Sequence, residues 1–364
     1  MKTIQRIGIL TGGGDCPGLN AAIRGIGKSA LYHGIEVIGI HDGYVGLIEN
    51  STRKLSMKDL SGILTRGGTI LGTNNSSSPE RHFIGRNNQG NPIYENAVDR
   101  CLTTGNTLGL DLLFVIGGDG TFTCTKPLVE AGLPCIGVPK TIDNDIFGTD
   151  LTIGFTTATR IGTMALDRLH STADSHHRVM ICELMGRNAG WLTLASGLAS
   201  GSDVILIPEI PYDIDSVCQF VEHRRSEHSG FSIIACAEGA KPLNGSPVIS
   251  KHIETSPETV RLGGIGRMLA QEIEDRTGIE TRTSTLGHIQ RGGEPAATDR
   301  VIATSFATAA FEIAMQGEIN KMVGLQDGHI AINNILDAAN KQRLVPTDHR
   351  FIRAARATQT CFGD

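Results

Sequence analysis

Apolar runs that stop abruptly at glycine, proline or acidic residues recur along this chain, and they constrain its fold more than any other feature. Leu112 to Ile116 runs into Gly117-Gly118-Asp119-Gly120-Thr121. Cys135 to Val138 runs into Pro139-Lys140-Thr141-Ile142-Asp143-Asn144-Asp145. Short apolar runs bounded in this way read as buried parallel strands. Open α/β sheets bind ligands just beyond the carboxyl ends of their strands. The two turns therefore face one crevice, a phosphate-type turn beside an acidic, hydroxyl-bearing one.

The same alternation extends through the chain. Arg6 to Thr11 reads as a strand, followed by Gly12-Gly13-Gly14-Asp15 and a helix from about Gly18 to His33. Further strands are predicted at Ile35–His41, Val179–Glu183, Val204–Ile207 and Ser232–Ala237. Helices are predicted at Asp167–Thr172, Ala189–Gly201 and Ile214–Arg225. Alternation of this kind implies an α/β fold of mostly parallel sheets with helices on both faces. At 364 residues the chain is long for one core, so two doubly wound domains are expected. Two polar stretches interrupt the pattern. Asn74 to Asn96 reads as a long surface loop, and Lys241 to Ser256 as an ordered insertion or a lid. Near the end, Arg350, Arg353 and Arg356 fit a solvated helix face.

Composition narrows the partners. The net charge is −5 and basic residues are scattered, which points away from nucleic acid. No apolar stretch approaches a membrane span, and Met1-Lys2-Thr3-Ile4 leads straight into the first strand with no secretory leader. Eight cysteines show no CxxC spacing, so buried free thiols in a reduced cytoplasm are expected. The 45 glycines imply many tight turns and close backbone approaches.

Chemistry follows from the turns. Thr11-Gly12-Gly13-Gly14-Asp15 joins the first strand to its helix, where backbone N–H groups and the helix terminus suit phosphate. It matches neither the Walker nor the GxGxxG pattern, and a plain tight turn explains it as well. Gly117-Gly118-Asp119-Gly120-Thr121 adds one carboxylate, which suits Mg²⁺, a cation that shares few protein oxygens with phosphate and water. NAD and diacylglycerol kinases carry the same segment, so it names a chemistry and no substrate. In Thr141-Ile142-Asp143-Asn144-Asp145 an Asp beside a metal and a substrate hydroxyl would accept a proton during phosphoryl transfer. Clustered Asx residues also build ordinary turns. Arg178, Arg187, Arg282, His288 and Arg291, at strand and loop ends, favour a second anion site.

Taken in order, these segments resemble the phosphofructokinase family over roughly residues 5 to 340. Pro139 to Asp145 and Leu286 to Gly293 are its most specific motifs. The resemblance implies that Asp143 takes the proton from the 1-hydroxyl of fructose 6-phosphate. It implies that Asp119 holds Mg²⁺ on the donor, with Gly12, Gly13, Gly118, Gly120, Thr121 and the Lys140 ammonium around the donor phosphates. Thr141 and Arg187 would stabilise the transferring group, and Asp145 would help position the site. Met185, Gly186 and Glu238 would contact the sugar, and Arg178, Arg282, His288 and Arg291 its 6-phosphate. In bacterial members Arg178 and Arg282 reach across from a neighbouring subunit, so a homo-oligomer, tetramer or dimer, is implied. The larger domain would take residues 1–154 and 290–341, and the smaller 155–289 and 342–364, with the two facing a shared cleft.

Departures from the family pattern bear on the donor. Asn74 and Asn75 stand where many ATP-using bacterial members place an arginine, and Cys124 where glycine often serves the nucleoside. Lys140 is the residue of pyrophosphate enzymes, whereas Gly120 is that of ATP enzymes, since a carboxylate there would repel an α-phosphate. Gly120 with Lys140, together with the Lys241 to Ser256 insertion, matches a mixed group with ATP-using members. ATP is the expected donor, with reversible pyrophosphate-dependent transfer the alternative and a catalytically silent sugar-phosphate-binding subunit third. Arg24 and Lys28 match basic effector positions, but Glu227 and Ser229 replace the lysines expected before the Ser232 strand. A weak or missing response to ADP and phosphoenolpyruvate is expected.

Overall fold

In Leu112-Leu113-Phe114-Val115-Ile116 every side chain is apolar, and the twofold repeat of a strand sends alternate residues to opposite faces. Leu112, Phe114 and Ile116 join one core, Leu113 and Val115 another, and all five are fully buried. A strand apolar on both faces needs helices on both, and the computed structural model of the chain supplies them. It describes residues 4–75, 77–227, 230–252, 260–339 and 341–364.

The larger, eight-stranded sheet runs His329–Asn334, Lys321–Gln326, Cys135–Thr141, Leu112–Gly117, Arg6–Thr11, Glu36–Ile40 and Thr52–Leu55, with Ile153–Gly154 paired to Cys135–Thr141. Its centre is parallel and its two edge strands antiparallel. Helices Leu19–Tyr32 and Ala297–Met315 cover one face, and Val98–Leu108 and Asp119–Glu130 the other. The smaller sheet has four parallel strands, in the order Val204–Leu206, Ser232–Ala237, Val179–Leu184, Thr281–Thr285. Helices Phe155–His176 and Trp191–Ser200 lie on one side of it, and Ile214–Glu227 and Ile265–Thr277 on the other.

Each sheet has one place where the strand order reverses. In the larger it lies between Arg6–Thr11 and Leu112–Gly117, and in the smaller between Val179–Leu184 and Thr281–Thr285. At such points the two connecting turns diverge and leave a crevice beyond the carboxyl ends of the strands. The glycine turns after Thr11 and Gly117 open into the first, and Met185-Gly186-Arg187 and Gly287-His288 into the second.

The predicted α/β class and both-face helices are present, and Arg6–Thr11 and Ser232–Ala237 match their predicted bounds. The helix expected at Asp167–Thr172 instead runs for 22 residues, Phe155–His176. Its polar residues lie on the solvent face, which hid its length. The stretch from Asn74 to Asn96 is not all loop, because His82–Arg86 and Pro92–Glu95 pair as an antiparallel hairpin. The insertion is ordered over the residues described, with Ile249–His252 paired to Val260–Leu262; residues 253–256 fall outside them. Arg350, Arg353 and Arg356 are exposed on helix Arg350–Ala357, as expected. All eight cysteines are free, and only Cys124 and Cys361 are less than buried.

Candidate active site

The two crevices open into one cleft of ≈ 800 Å³. From the larger sheet it is lined by Gly13, Gly14, Gly118, Asp119, Gly120, Thr121, Lys140, Thr141 and Asp143. From the smaller come Met185, Arg187, Glu238, His288 and Arg291. Residues far apart in sequence are brought together because both sheets present their carboxyl ends to the same space.

The donor-side turns are packed too closely for side chains. A Cβ on Gly12 would lie 2.5 Å from the Thr121 methyl, and one on Gly117 2.4 Å from Thr121 Cβ. Gly13 adopts φ +75°, open to glycine at no steric cost. Gly120, by contrast, faces open space, with nothing within 4 Å of a built Cβ. The Lys140 ammonium is buried and donates to the carbonyls of Gly12 (2.9 Å) and Gly14 (2.6 Å). It thus braces the first turn from behind, and burial pulls its pKa below the ordinary lysine value. Thr73 Oγ1 donates to the Gly13 carbonyl at 2.6 Å, tying the Asn74–Asn75 stretch to the same turn. Asn74, Asn75 and Cys124 all line the cleft.

The acidic turn is fixed by its own side chains. Asn144 takes φ +54°, a left-handed conformation that asparagine tolerates. Its Oδ1 accepts from Thr152 N at 2.9 Å and its amide donates to the Asp150 carbonyl at 3.1 Å. Ile142 is fully buried, which turns Thr141 and Asp143 outward to the cleft. Asp145 is buried and does not line the cleft; with Asp119 it accepts from the side-chain amide of Gln342, at 3.2 and 3.1 Å. Asn188 donates to that same Gln342 at 3.1 Å. Gln342 therefore links the carboxylate of the glycine turn, the acidic turn and the loop that carries Arg187. Nothing in its polar surroundings in the sequence singled it out.

On the smaller-sheet side Gly186 takes φ +129°, and a Cβ there would lie 3.0 Å from the Ala189 carbonyl. Met185 N is held by Gln290 Oε1 at 2.7 Å. Glu238 follows strand Ser232–Ala237, and burial first, then the nearby Asp143 and Glu183 carboxylates, raise its pKa to about 7. Arg291 donates to the Asp15 carbonyl at 3.1 Å, so it spans from the second crevice to the first. Arg178 and Arg282 are elsewhere, at the amino ends of Val179–Leu184 and Thr281–Thr285. Six residues of strand place Arg178 roughly 20 Å from the carboxyl end of its strand, and three place Arg282 roughly 10 Å from the end of its own. There Arg178 pairs with Glu280 at 2.6 Å, and Arg282 with Glu280 and Glu274. Arg24 and Lys28 are half-buried on helix Leu19–Tyr32; Glu227 ends helix Ile214–Glu227, and Ser229 lies outside the described residues.

The donor-side turn can be tested for its fit to a divalent cation. No group of three or more His, Cys, Asp or Glu side chains is gathered as a metal cage among the described residues. One carboxylate, Asp119, stands at the mouth of the glycine turn, its Oδ1 accepting from Gly120 N at 2.7 Å. A single carboxylate completed by phosphate oxygens and water is what Mg²⁺ takes.

Residues 6–314 match the family model described as Phosphofructokinase. An ATP-dependent 6-phosphofructokinase of Spirochaeta thermophila is 47% identical over 99% of this chain and 98% of its own. ATP-dependent 6-phosphofructokinase 2 of Clostridium perfringens is 44% identical over 100% of both. Among solved structures, Pichia pastoris phosphofructokinase superposes with TM-score 0.77 at 28% identity, over 93% of this chain and 36% of that one. A pyrophosphate-dependent phosphofructokinase from Nitrosospira multiformis gives TM-score 0.80 over 99% and 93%, and at 20% identity it attests the fold alone. Full-length identity of this order, together with a cleft that joins the predicted motifs, places the chain in the phosphofructokinase family.

Proposed function

We propose that this cleft transfers the terminal phosphoryl group of ATP to the 1-hydroxyl of fructose 6-phosphate, giving ADP and fructose 1,6-bisphosphate, a step of glycolysis. One observation carries the reading: Asp143 stands where the phosphate-type turns of one sheet meet the cationic loops of the other. The names of the sequence relatives support ATP, and so does the open space at Gly120. Nothing here favours pyrophosphate, since the Lys140 ammonium is engaged by carbonyls of the donor turn.

Backbone N–H groups of the Gly13–Gly14 and Gly118–Asp119 turns hold the donor phosphates, with Gly12, whose N–H donates to the Ile116 carbonyl, and Gly120 leaving room for them, and with Asp119 the residue that would carry Mg²⁺. That cation would neutralise charge on the donor. Asp143 accepts the O1 proton; O1 bonds to the terminal phosphorus, and the bond from that phosphorus to the bridging oxygen breaks, its electron pair leaving with ADP. Thr141 and Arg187 donate to the transferring group. Asp145 acts through the Gln342 bridge and does not touch substrate. Met185, Gly186 and Glu238 contact the sugar, and His288 and Arg291 its 6-phosphate. The division into 1–154 with 290–341 and 155–289 with 342–364 fits the two sheets, and the cytoplasm fits a glycolytic step.

Arg178 and Arg282 do not line their own cleft, which supports a homo-oligomer in which they enter a neighbour's site. Mixing Arg178→Ala with Asp143→Ser subunits then restores activity above that of either alone. No restoration removes the crossing.

Initial rates with fructose 6-phosphate and Mg²⁺ test the function, ATP against pyrophosphate. ATP-dependent formation of fructose 1,6-bisphosphate is expected. Turnover with pyrophosphate alone reverses the donor, and none with either leaves a silent binding subunit.

A further inference from the structure

Gln342-Arg343-Leu344-Val345 crosses between the turns of the larger sheet and the core of the smaller one as a strap. It starts against the acidic turn. Gln342 forms an antiparallel bridge with the buried Ile146, and Arg343 N donates to the Asp145 carbonyl at 2.7 Å. The Arg343 guanidinium donates to the Asn144 carbonyl at 3.2 Å and lies over the Trp191 ring, 4.0 Å from its centre. Trp191 Nε1 donates in turn to the Arg343 carbonyl at 2.8 Å. At the other end Val345 is buried in the smaller sheet's core, and its N–H donates to Glu209 at 2.9 Å. Glu209 also accepts from Gly190 N at 3.0 Å, just before helix Trp191–Ser200. The backbone that carries Gln342 is thus held by both halves of the cleft.

The tip of Gln342 is fully engaged. An amide NH2 carries two N–H donors, and they meet Asp119 Oδ2 at 3.1 Å and Asp145 Oδ2 at 3.2 Å. Its Oε1 accepts from Asn188 at 3.1 Å. A flipped amide would set an oxygen against two carboxylates and an NH2 against another, so Asn188 fixes the orientation. At Asp119, Gly120 N donates to Oδ1 at 2.7 Å while Gln342 holds Oδ2. Gripped at both oxygens, the carboxylate cannot turn without losing a bond. It has about four acceptor sites, which leaves room for a cation. Hydrogen bonds that hold a ligating carboxylate in this way are worth about 10- to 100-fold in metal affinity.

We propose that Gln342 is the positioning residue of the Mg²⁺-binding carboxylate, and that Asn188, on the loop of Arg187, sets it in turn. The inference rests on the donor reading above, with Asp119 as the metal's residue. Its test is calorimetric titration of a non-hydrolysable ATP analogue, once with Mg²⁺ and once with EDTA. Wild type, Gln342→Met, Asn188→Ala and the double variant are compared. Gln342→Met keeps the length and removes the amide. It is expected to weaken binding of the Mg²⁺ complex about tenfold, with the metal-free analogue and fructose 6-phosphate within about twofold. Asn188→Ala, at an exposed position, leaves the strap's backbone bonds in place and gives a loss of about threefold, that of one ordinary hydrogen bond. It adds nothing to Gln342→Met, because both act through one amide. Should Met prevent folding, Asn188→Ala carries the same comparison. Equal weakening with and without Mg²⁺ overturns the proposal, since it marks damage to the turn and not to the metal's carboxylate. Full affinity of Gln342→Met for the Mg²⁺ complex overturns it too, and losses that add in the double variant overturn the part given to Asn188. A wild-type chain that binds the Mg²⁺ complex without phosphorylating fructose 6-phosphate fails the functional reading and leaves the role of Gln342 standing.

Discussion

On the proposed reading, the two ends of the cleft recognise phosphate by different means. The larger sheet offers backbone: glycines 12, 13, 118 and 120, with Thr121 packed so tightly behind Gly12 and Gly117 that a methyl group would overlap it. The smaller sheet would offer side chains, Arg187, His288 and Arg291, with the half-buried Glu238 beside them. A backbone cradle is specific by shape and insensitive to pH, and it fails by steric intrusion. A side-chain cradle is specific by charge, titrates, and fails one residue at a time. Asp143 lies at the seam and belongs to neither.

That contrast ranks the expected effects. The largest belongs to the seam: Asp143→Ser should lower kcat about 10²- to 10⁴-fold with little change in KM for either substrate. A large rise in KM with kcat preserved would move Asp143 from proton acceptor to binding residue. Next comes the backbone end. Gly12→Ala pushes a methyl group into Thr121, at a cost of about 1–3 kcal/mol of stability or a displaced turn. KM for ATP should rise while affinity for fructose 6-phosphate holds, and Thr121→Ser, by removing the opposing methyl, should restore part of the loss. Equal damage to both substrates would erase the distinction between the two ends.

The side-chain end gives a smaller, pH-dependent effect. Burial raises the Glu238 pKa to about 7, so the folded state binds its proton more tightly than the unfolded chain does. The stabilisation that proton provides is full below about pH 4.5, the ordinary value, and is lost as pH rises through about 7. Glu238→Gln should therefore raise Tm relative to wild type at pH 8 and leave it nearly unchanged at pH 4. It should weaken fructose 6-phosphate binding at both. Thermal melts across that range would break the account if the stability difference ran the other way. The smallest effect concerns regulation: ADP or phosphoenolpyruvate at millimolar levels should leave the saturation curve in place, and a strong shift would restore an effector site near Arg24 and Lys28.

The sequence made the backbone end legible and the side-chain end only partly so. Glycine turns at the ends of apolar strands announce a crevice, because few residues but glycine allow such close approach, and the acidic turn carries its own Asn144 lock. Gln342 was invisible for the opposite reason. A lone glutamine in a polar tail acquires meaning only when the chain crosses back between the sheets and sets its amide against Asp119 and Asp145. The strands Ile249–His252 and Val260–Leu262 were hidden in and beyond the Lys241 to Ser256 insertion, since a two-stranded hairpin with a bulge lacks the clean alternation that marks a strand. Helix Phe155–His176 was cut short for a related reason, its solvent face outweighing its apolar stripe. Local chemistry can be read along the chain, whereas contacts made by crossings need the fold.

A crystal structure of the wild-type chain with fructose 6-phosphate and a non-hydrolysable ATP analogue tests the central claim most directly. The account predicts the analogue's phosphates on the Gly12–Gly14 and Gly118–Gly120 turns. It places the sugar's 1-hydroxyl about 3 Å from Asp143 and its 6-phosphate beside His288 and Arg291. Nucleotide phosphates bound away from those turns, or a sugar that presents another group to Asp143, would contradict it.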